Sequence, residues 1–183
     1  MKKVFAIVIG FTAIVSSVTA QDKFFTKTGK VSFYSRAPLE NIEAHNRSMT
    51  CVLDSKSGNI QFSVLMKGFE FEKALMQRHF NENYLETTRY PKAEFKGQVL
   101  NNGEVNYTTE GTYKARVKGM LTIHGQTQEV ETDGTLTVKN GKLMAESDFK
   151  VRLADYKIKN DKMNNISNTI SVSVNCSLEP LNH

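Results

Sequence analysis

The sequence predicts an all-β protein, an antiparallel eight-stranded barrel with one short capping α-helix, preceded by a signal peptide. Beyond the first twenty residues, apolar side chains recur mainly at every second position, which is the period of a strand with one buried face. Turn residues, such as Asn140-Gly141, separate these runs at the short intervals expected of an antiparallel sheet. Closing such a sheet removes the edges that would otherwise pair with other chains.

The N-terminus has the pattern of an export signal. Lys2 and Lys3 form a charged start, Val4–Val15 is mostly apolar, and small residues end at Ala20. We therefore expect a signal peptide over residues 1–20 that is cleaved after Ala20. Residue 21 is not cysteine, so nothing indicates lipid attachment at the new terminus.

An uncleaved membrane anchor is the alternative for the same segment. A spanning helix needs roughly 20 apolar residues, and Ser16, Ser17 and Thr19 interrupt this run. The sequence has no other long apolar run, so no stable membrane span is predicted. Residues 21–183 have no Pro/Gly/Ser-rich linker and suit one domain with a single core.

The charge of the chain does not indicate a nucleic-acid partner. Removing Lys2 and Lys3 lowers the formal net charge from +5 to +3, and the remaining basic residues are scattered. No basic block is interleaved with aromatic residues, as a platform for single strands requires. DNA and RNA are not expected to bind.

The first three strands follow from alternation and turn residues. The first strand is predicted at Lys30–Ser35, and the second at Ser48–Asp54 after an irregular connection over Arg36–Asn46. Ser55–Asn59 forms a turn, and Ile60–Met66 then alternates as the third strand.

A short helix is expected next, over Glu72–Phe80, because Phe71, Leu75 and His79 share one side at helical spacing. Tyr90-Pro91 stops any helix, since the residue before proline avoids helical backbone. This segment is interpreted as a lid over one end of the barrel.

The later strands alternate in the same way, and one of them is long enough for a tilted barrel strand. They are predicted at Ala93–Val99, at a short return strand over Val105 and Tyr107, and at Tyr113–Ile123, Glu129–Lys139, Lys142–Arg152 and Thr169–Leu178.

Two glycines on predicted inward faces favour a hollow barrel. Gly97 and Gly119 would leave volume near Phe62, Phe95 and Tyr113. An eight-stranded barrel either fills with side chains or holds one small ligand. The alternative is a solid core in which the glycines mark bends or bulges.

Two segments of the sequence together resemble the YceI-like family of bacterial periplasmic proteins. They are Phe71–Gly97 and the later LTIHG run over Leu121–Gly125, which is followed by Thr127. The shared features are, in this order, a phenylalanine-rich segment, a short helix, the dipeptide His79-Phe80, a strand with the pattern YP-x-A-x-F, and a hairpin with the pattern LTIHG-x-T. The resemblance implies a lipocalin-like barrel, a periplasmic location, and binding of a long-chain isoprenoid or other lipid-like ligand in an apolar pore. The identity of the ligand stays open.

The candidate ligand-binding residues are apolar or aromatic positions predicted to face inward or to lie on the cap. They are Phe62, Val64, Phe71, Leu75, Phe80, Phe95, Tyr113, Val117, Leu121, Phe149 and Val172. Core packing is the alternative role for each of them. Only a contiguous lining makes the set a site.

No catalytic residue, metal ligand or cofactor is predicted. The chain has no HExxH or GxSxG motif, and His124 is expected to satisfy a carbonyl near its turn. A hydrolase acting on an amphiphile in the same cavity, and a ligand-free periplasmic interaction module, are the alternative functions. Cys51 and Cys176 are both expected to point inward, either as a disulfide or as two free thiols. Homodimerisation is also left open.

Overall fold

The computed structural model of the protein describes residues 22–36, 41–159 and 167–181. The predicted signal peptide and its cleavage after Ala20 lie outside these ranges. Within them, no helix has the length and apolar character needed to cross a bilayer.

The described chain forms nine β-strands and one α-helix. They are β1 (Lys23–Ser35), β2 (Ile42–Asp54), β3 (Asn59–Leu65), β4 (Glu70–Phe71), α1 (Ala74–His79), β5 (Lys92–Val99), β6 (Gly111–Ile123), β7 (Gln126–Lys139), β8 (Lys142–Arg152) and β9 (Thr169–Pro180).

Eight of these strands close an antiparallel barrel. Their order is β1-β9-β8-β7-β6-β5-β3-β2, and pairing of β2 with β1 completes the ring. The two-residue β4 only extends the sheet beside the start of β2. The predicted fold class, a lipocalin-like barrel with one short helix, is confirmed.

The helix lies between β3 and β5, as predicted, but it is shorter than expected. It covers Ala74–His79, and the chain continues into a π-helical turn over Phe80–Tyr84. The backbone N–H of Leu85 donates to the carbonyl of Phe80 at 2.9 Å and closes this turn. Phe80 is buried, whereas no residue of α1 itself is.

The predicted irregular connection over Arg36–Asn46 is wrong, because β2 already begins at Ile42 and pairs with β1. Ala44 and Asn46 point inward from this part of the strand, and both are fully buried. Asn46 tolerates burial because its Nδ2 donates to the carbonyl of Leu65 at 3.0 Å. A buried amide needs such a partner.

The predicted return strand over Val105 and Tyr107 is also wrong. A 3₁₀ turn follows β5, and Val105 is buried beyond it. The Tyr107 ring stacks on Phe24 with 5.9 Å between the ring centroids, and its hydroxyl donates to Asn102 Oδ1 at 2.7 Å. The segment therefore covers the base of the barrel instead of joining the sheet.

The barrel has a packed base and a hollow upper half, which we call the mouth half. Inward side chains at the base are fully buried; Cys51, Leu53, Leu143, Cys176 and Leu178 each have 0% of their surface exposed. Higher in the barrel, several inward side chains pack against the core but are only partly buried; these include Val117, Phe149, Ile170, Val172 and Val174. Their partial exposure indicates that the mouth half encloses a space.

Candidate functional site

The mouth half contains a cavity of about 460 Å³. This volume lies within the range of roughly 300–1,000 Å³ typical of small-molecule sites. Aliphatic and aromatic side chains from the barrel strands and the lid form almost all of its surface. The cavity is therefore a continuous apolar space, not a set of gaps between packed side chains.

Ten of the eleven predicted wall residues line this cavity. They are Phe62, Val64, Phe71, Leu75, Phe80, Phe95, Val117, Leu121, Phe149 and Val172. Tyr113 is not among the lining residues. It lies near the base end of β6, where its hydroxyl donates to the carbonyl of Thr109 at 3.0 Å.

Other lining residues did not enter the predicted set, although the same alternation could have found them. Phe33 in β1, Val130 in β7 and Val174 in β9 all face the cavity. Phe33 alternates with Ser32 and Tyr34, and Val174 belongs to the strict alternation of the last strand. Period two identifies the inward face, and these positions share it.

The two inward glycines do not leave empty volume, contrary to expectation. Gly97 pairs with Gly119 across β5 and β6, and Cβ atoms added there would lie 2.6 and 2.7 Å from Cζ of Phe95. A Cβ on Gly119 would also lie 2.4 Å from the Cα of Gly97. The glycines thus let the two strands and the Phe95 ring approach closely, and Phe95 itself lines the cavity.

A cluster of four phenylalanines holds the lid over the mouth. The ring of Phe80 lies 5.0 Å from that of Phe71, 5.5 Å from that of Phe69 and 5.6 Å from that of Phe33. These centroid separations are typical of favourable aromatic pairs. Leu75 of α1 lines the cavity but remains 54% exposed. The lid is therefore anchored through Phe80, while the helix that precedes it is open to solvent.

The β6–β7 turn lies at the end of the LTIHG run of the sequence pattern. His124 and Gly125 have φ values of 49° and 68°, as a two-residue turn with the right twist for a hairpin requires. His124 Nδ1 lies 3.1 Å from the carbonyl oxygen of Tyr156, which confirms the role expected for this histidine. Its ring meets Tyr90 edge-on at 4.5 Å. The turn thereby packs against the segment that leads into β5.

The barrel wall lacks a continuous backbone ladder between β7 and β8. The two strands pair from the base only as far as Gly134 and Ser147. Above that point, residues 126–133 pair with β6 and residues 148–152 pair with β9. We call the boundary between these two segments the seam.

Side-chain hydrogen bonds replace the ladder at the seam. Ser147 Oγ donates to the carbonyl of Asp133 at 2.8 Å, and Thr132 Oγ1 donates to the carbonyl of Asp148 at 3.3 Å. Gln128 Nε2 donates to the carbonyl of Asp155 at 2.8 Å. Thr132 and Ser147 also line the cavity and form part of its small polar surface.

Charged groups form ion pairs on the outside of the barrel. Lys118 contacts Glu129 at 3.0 Å, and Lys142 contacts Glu179 at 2.7 Å, with all four side chains exposed. Such surface pairs contribute little to stability. Across the described ranges, no group of three His, Cys, Asp or Glu residues is arranged to hold a metal ion.

A closed eight-stranded barrel with an apolar cavity beneath a helical lid defines a lipocalin-like protein. The model of the YceI-like domain matches residues 8–178. This match covers most of the chain, which therefore belongs to the YceI-like family.

Solved structures with the same fold are distant in sequence. A polyisoprenoid-binding domain from Saccharophagus degradans, implicated in plant cell wall breakdown, has a TM-score of 0.76 and 14% identity, covering 88% of this chain and 99% of its own. BcnA from Burkholderia cenocepacia has a TM-score of 0.66 and 14% identity, covering 82% and 95%. The YceI protein of Campylobacter jejuni has a TM-score of 0.50 and 13% identity, covering 97% and 98%. None of the curated proteins compared with the chain matches it.

Proposed function

We propose that the protein binds one long apolar ligand, a polyisoprenoid or another lipid, in the cavity and carries it through the periplasm. The observation that carries this proposal is the almost wholly apolar lining of a space of about 460 Å³. The ten lining residues from the predicted set are proposed as ligand contacts, together with Phe33, Val130 and Val174.

An apolar lining selects a ligand by the length and width of its tail. A hydrocarbon chain offers no hydrogen bonds, so binding must come from burial, which contributes about 0.8 kcal/mol for each methylene group. Ten buried carbons would give ~8 kcal/mol before the cost of ordering the chain and losing free motion. The protein is expected to discriminate only weakly between an isoprenoid and another amphiphile whose tail has the same width.

The comparison with the Saccharophagus degradans domain supports the ligand class, because that protein is a polyisoprenoid-binding domain with the same fold. The predicted signal peptide over residues 1–20 and the family resemblance support a periplasmic location. A long isoprenoid is nearly insoluble in an aqueous compartment. A protein that encloses its tail could store it or transfer it between membranes.

Binding is favoured over catalysis by the state of two hydroxyl groups in the cavity wall, those of Thr132 and Ser147. The hydroxyl of Ser147 already donates to a main-chain carbonyl, and that of Thr132 is within hydrogen-bonding distance of two carbonyls and of the Ser147 hydroxyl. A nucleophilic hydroxyl needs instead a neighbouring base to receive its proton. Both groups are placed to hold β7 against β8.

The proposal is tested by native mass spectrometry of the mature protein purified from cells, followed by organic extraction. A long-chain lipid bound at one molecule per chain, released only on unfolding, is the expected result. The extract identifies the ligand. Protein that stays empty in the presence of polyisoprenols and lipids, but hydrolyses esters of long-chain acids, would instead indicate an enzyme.

A further inference from the structure

Two cysteines on non-adjacent strands lie together below the floor of the cavity. Cys51 in β2 and Cys176 in β9 are both completely buried, and both thiols are free in the structure. β1 lies between these two strands in the barrel. Side chains on the two flanking strands are normally kept apart by the strand between them, because neighbouring strands are about 4.8 Å apart.

An irregularity in β1 removes this separation. The register between β1 and β2 shifts on both sides of Gly29, and the register between β1 and β9 shifts between Phe25 and Lys30. Lys27 and Thr28 are exposed at the same place. This is the behaviour of a bulge, in which extra residues leave the ladder and bend the strand. Some Cα atoms of β2 and β9 lie within 8 Å of each other, although β1 separates the two strands in the sheet.

Gly29 completes the arrangement because it places no side chain against the Cys176 thiol. A Cβ at this position would lie 3.2 Å from Sγ of Cys176 and 2.9 Å from Cε of Met49. The pKa of the Cys51 thiol is raised, first by its hydrogen bond with the Cys176 thiol and second by burial. This hydrogen bond places the two thiols next to each other.

We propose that Cys51 and Cys176 form an intramolecular disulfide, joining β2 to β9 beneath the cavity, when the chain folds in an oxidising compartment. Two protons and two electrons leave the thiols as the S–S bond forms, and a disulfide oxidant, either glutathione disulfide or a protein disulfide, accepts them and becomes two thiols. One cysteine thiolate first attacks the oxidant to give a mixed disulfide, and the second displaces the oxidant's sulfur. Because both positions are buried in the finished barrel, this exchange takes place while β1 is still open.

The bond would fix the packed base of the barrel and leave the mouth half unconstrained. It closes a loop that contains most of the chain, and long loops give the largest stabilisation when the unfolded chain is restricted. The lid and the seam lie at the other end of the strands. The inference is independent of which ligand occupies the cavity.

The test uses the full chain refolded from denaturant in a mixture of oxidised and reduced glutathione. The product is denatured and alkylated with iodoacetamide, with and without prior reduction, and its mass is measured. We expect no label before reduction, two labels after it, and one linked peptide pair containing Cys51 and Cys176. Two labels before reduction, or glutathione attached to either cysteine, would overturn the proposal.

Thermal unfolding gives a second readout on the same protein. Chain refolded with a reductant should melt lower than the oxidised chain, by on the order of 10 °C. The double variant Cys51→Ala/Cys176→Ala is the control and should melt at one temperature under both conditions. Oxidised and reduced wild-type protein that melt together would show that no such bond ties β2 to β9.

Discussion

Filling the cavity from β9 should weaken ligand binding roughly fifty-fold while the fold is retained. Val174 points into the cavity from the middle of β9, between Val31 of β1 and Ser147 of β8. Its side chain is only partly buried because one side faces the hollow. A Val174→Phe substitution would therefore extend a ring into space that we assign to the ligand.

The expected loss of affinity follows from the volume that the ring removes. Phenylalanine adds roughly four carbon atoms to valine, which would displace about three methylene groups of the ligand at ~0.8 kcal/mol each. The resulting loss of about 2.4 kcal/mol corresponds to a Kd raised roughly fifty-fold. Stability should change by less than about 1 kcal/mol, because the ring enters a hollow rather than a packed core.

Val138→Phe is the matched control, since the same substitution then falls on the packed base. Val138 is buried in β7 and does not line the cavity. Overpacking there should cost about 1–3 kcal/mol of unfolding free energy and leave the Kd of the folded protein within a few-fold. Binding is measured by displacement of a fluorescent long-chain fatty acid, and stability by urea unfolding. A Val174→Phe protein that binds as tightly as wild type would refute the assignment of the ligand to this cavity.

Three further predictions concern the wall of the barrel. Gly119→Ala should lower the free energy of unfolding, measured in urea, by about 1–3 kcal/mol, because the new Cβ would lie 2.4 Å from the facing backbone. The control Gly103→Ala, whose Cβ would have nothing within 4 Å, should change it by less than about 0.5 kcal/mol. Equal effects of the two substitutions would contradict the close approach of β5 and β6. Burial raises the pKa of Tyr156 to about 12, so its neutral phenol stabilises the fold fully below the unfolded pKa of 10.0, and this contribution is lost as the pH rises toward 12. As the pH rises toward 12, the unfolding free energy of Tyr156→Phe should therefore fall by about 1 kcal/mol less than that of the wild type, allowing for solvent screening. An equal fall in the two proteins would contradict this role of Tyr156. Hydrogen exchange should be faster for amides that face the seam in residues 126–133 and 148–152 than in the paired lower halves of the same strands; uniform protection would show that the seam is closed.

Strands with strict alternation between glycine turns could be predicted closely. The bounds of β8, Lys142–Arg152, agree at both ends with the prediction. Asn140 and Gly141 have φ values of 52° and 71°, so the turn residues themselves set the start of this strand. The inward face of β9 was equally clear, because every second residue is apolar.

Features that depend on distant partners could not be predicted from local pattern. Asn46 is an unfavourable residue for a buried strand position until the carbonyl of Leu65 accepts its hydrogen bond. The stack of Tyr107 on Phe24 likewise joins segments that are far apart in sequence. Alternation alone therefore predicts an irregular connection over Arg36–Asn46, where β2 begins, and a strand over Val105 and Tyr107, where the chain covers the base of the barrel.

The cavity was predicted for a reason that the structure corrects. The glycines in β5 and β6 were expected to leave volume, but the ring of Phe95 occupies it. Alternation gives the face of a residue and not its height between base and mouth, which is why Tyr113 was grouped with Val117. The hollow arises instead because inward side chains in the mouth half do not reach one another across the barrel.

The most direct measurement of ligand position uses tryptophan fluorescence, because the chain contains no tryptophan of its own. Phe149→Trp places a single indole on the cavity wall, and Met144→Trp places one on the outer face of the same strand, where Met144 is 38% exposed. Each variant is titrated with a brominated long-chain amphiphile, whose bromine atoms quench indole emission on close contact. Our account predicts strong quenching that saturates at one ligand per chain for Phe149→Trp and little for Met144→Trp. Equal binding by both variants with the emission of Phe149→Trp unquenched would place the ligand outside the barrel and contradict it.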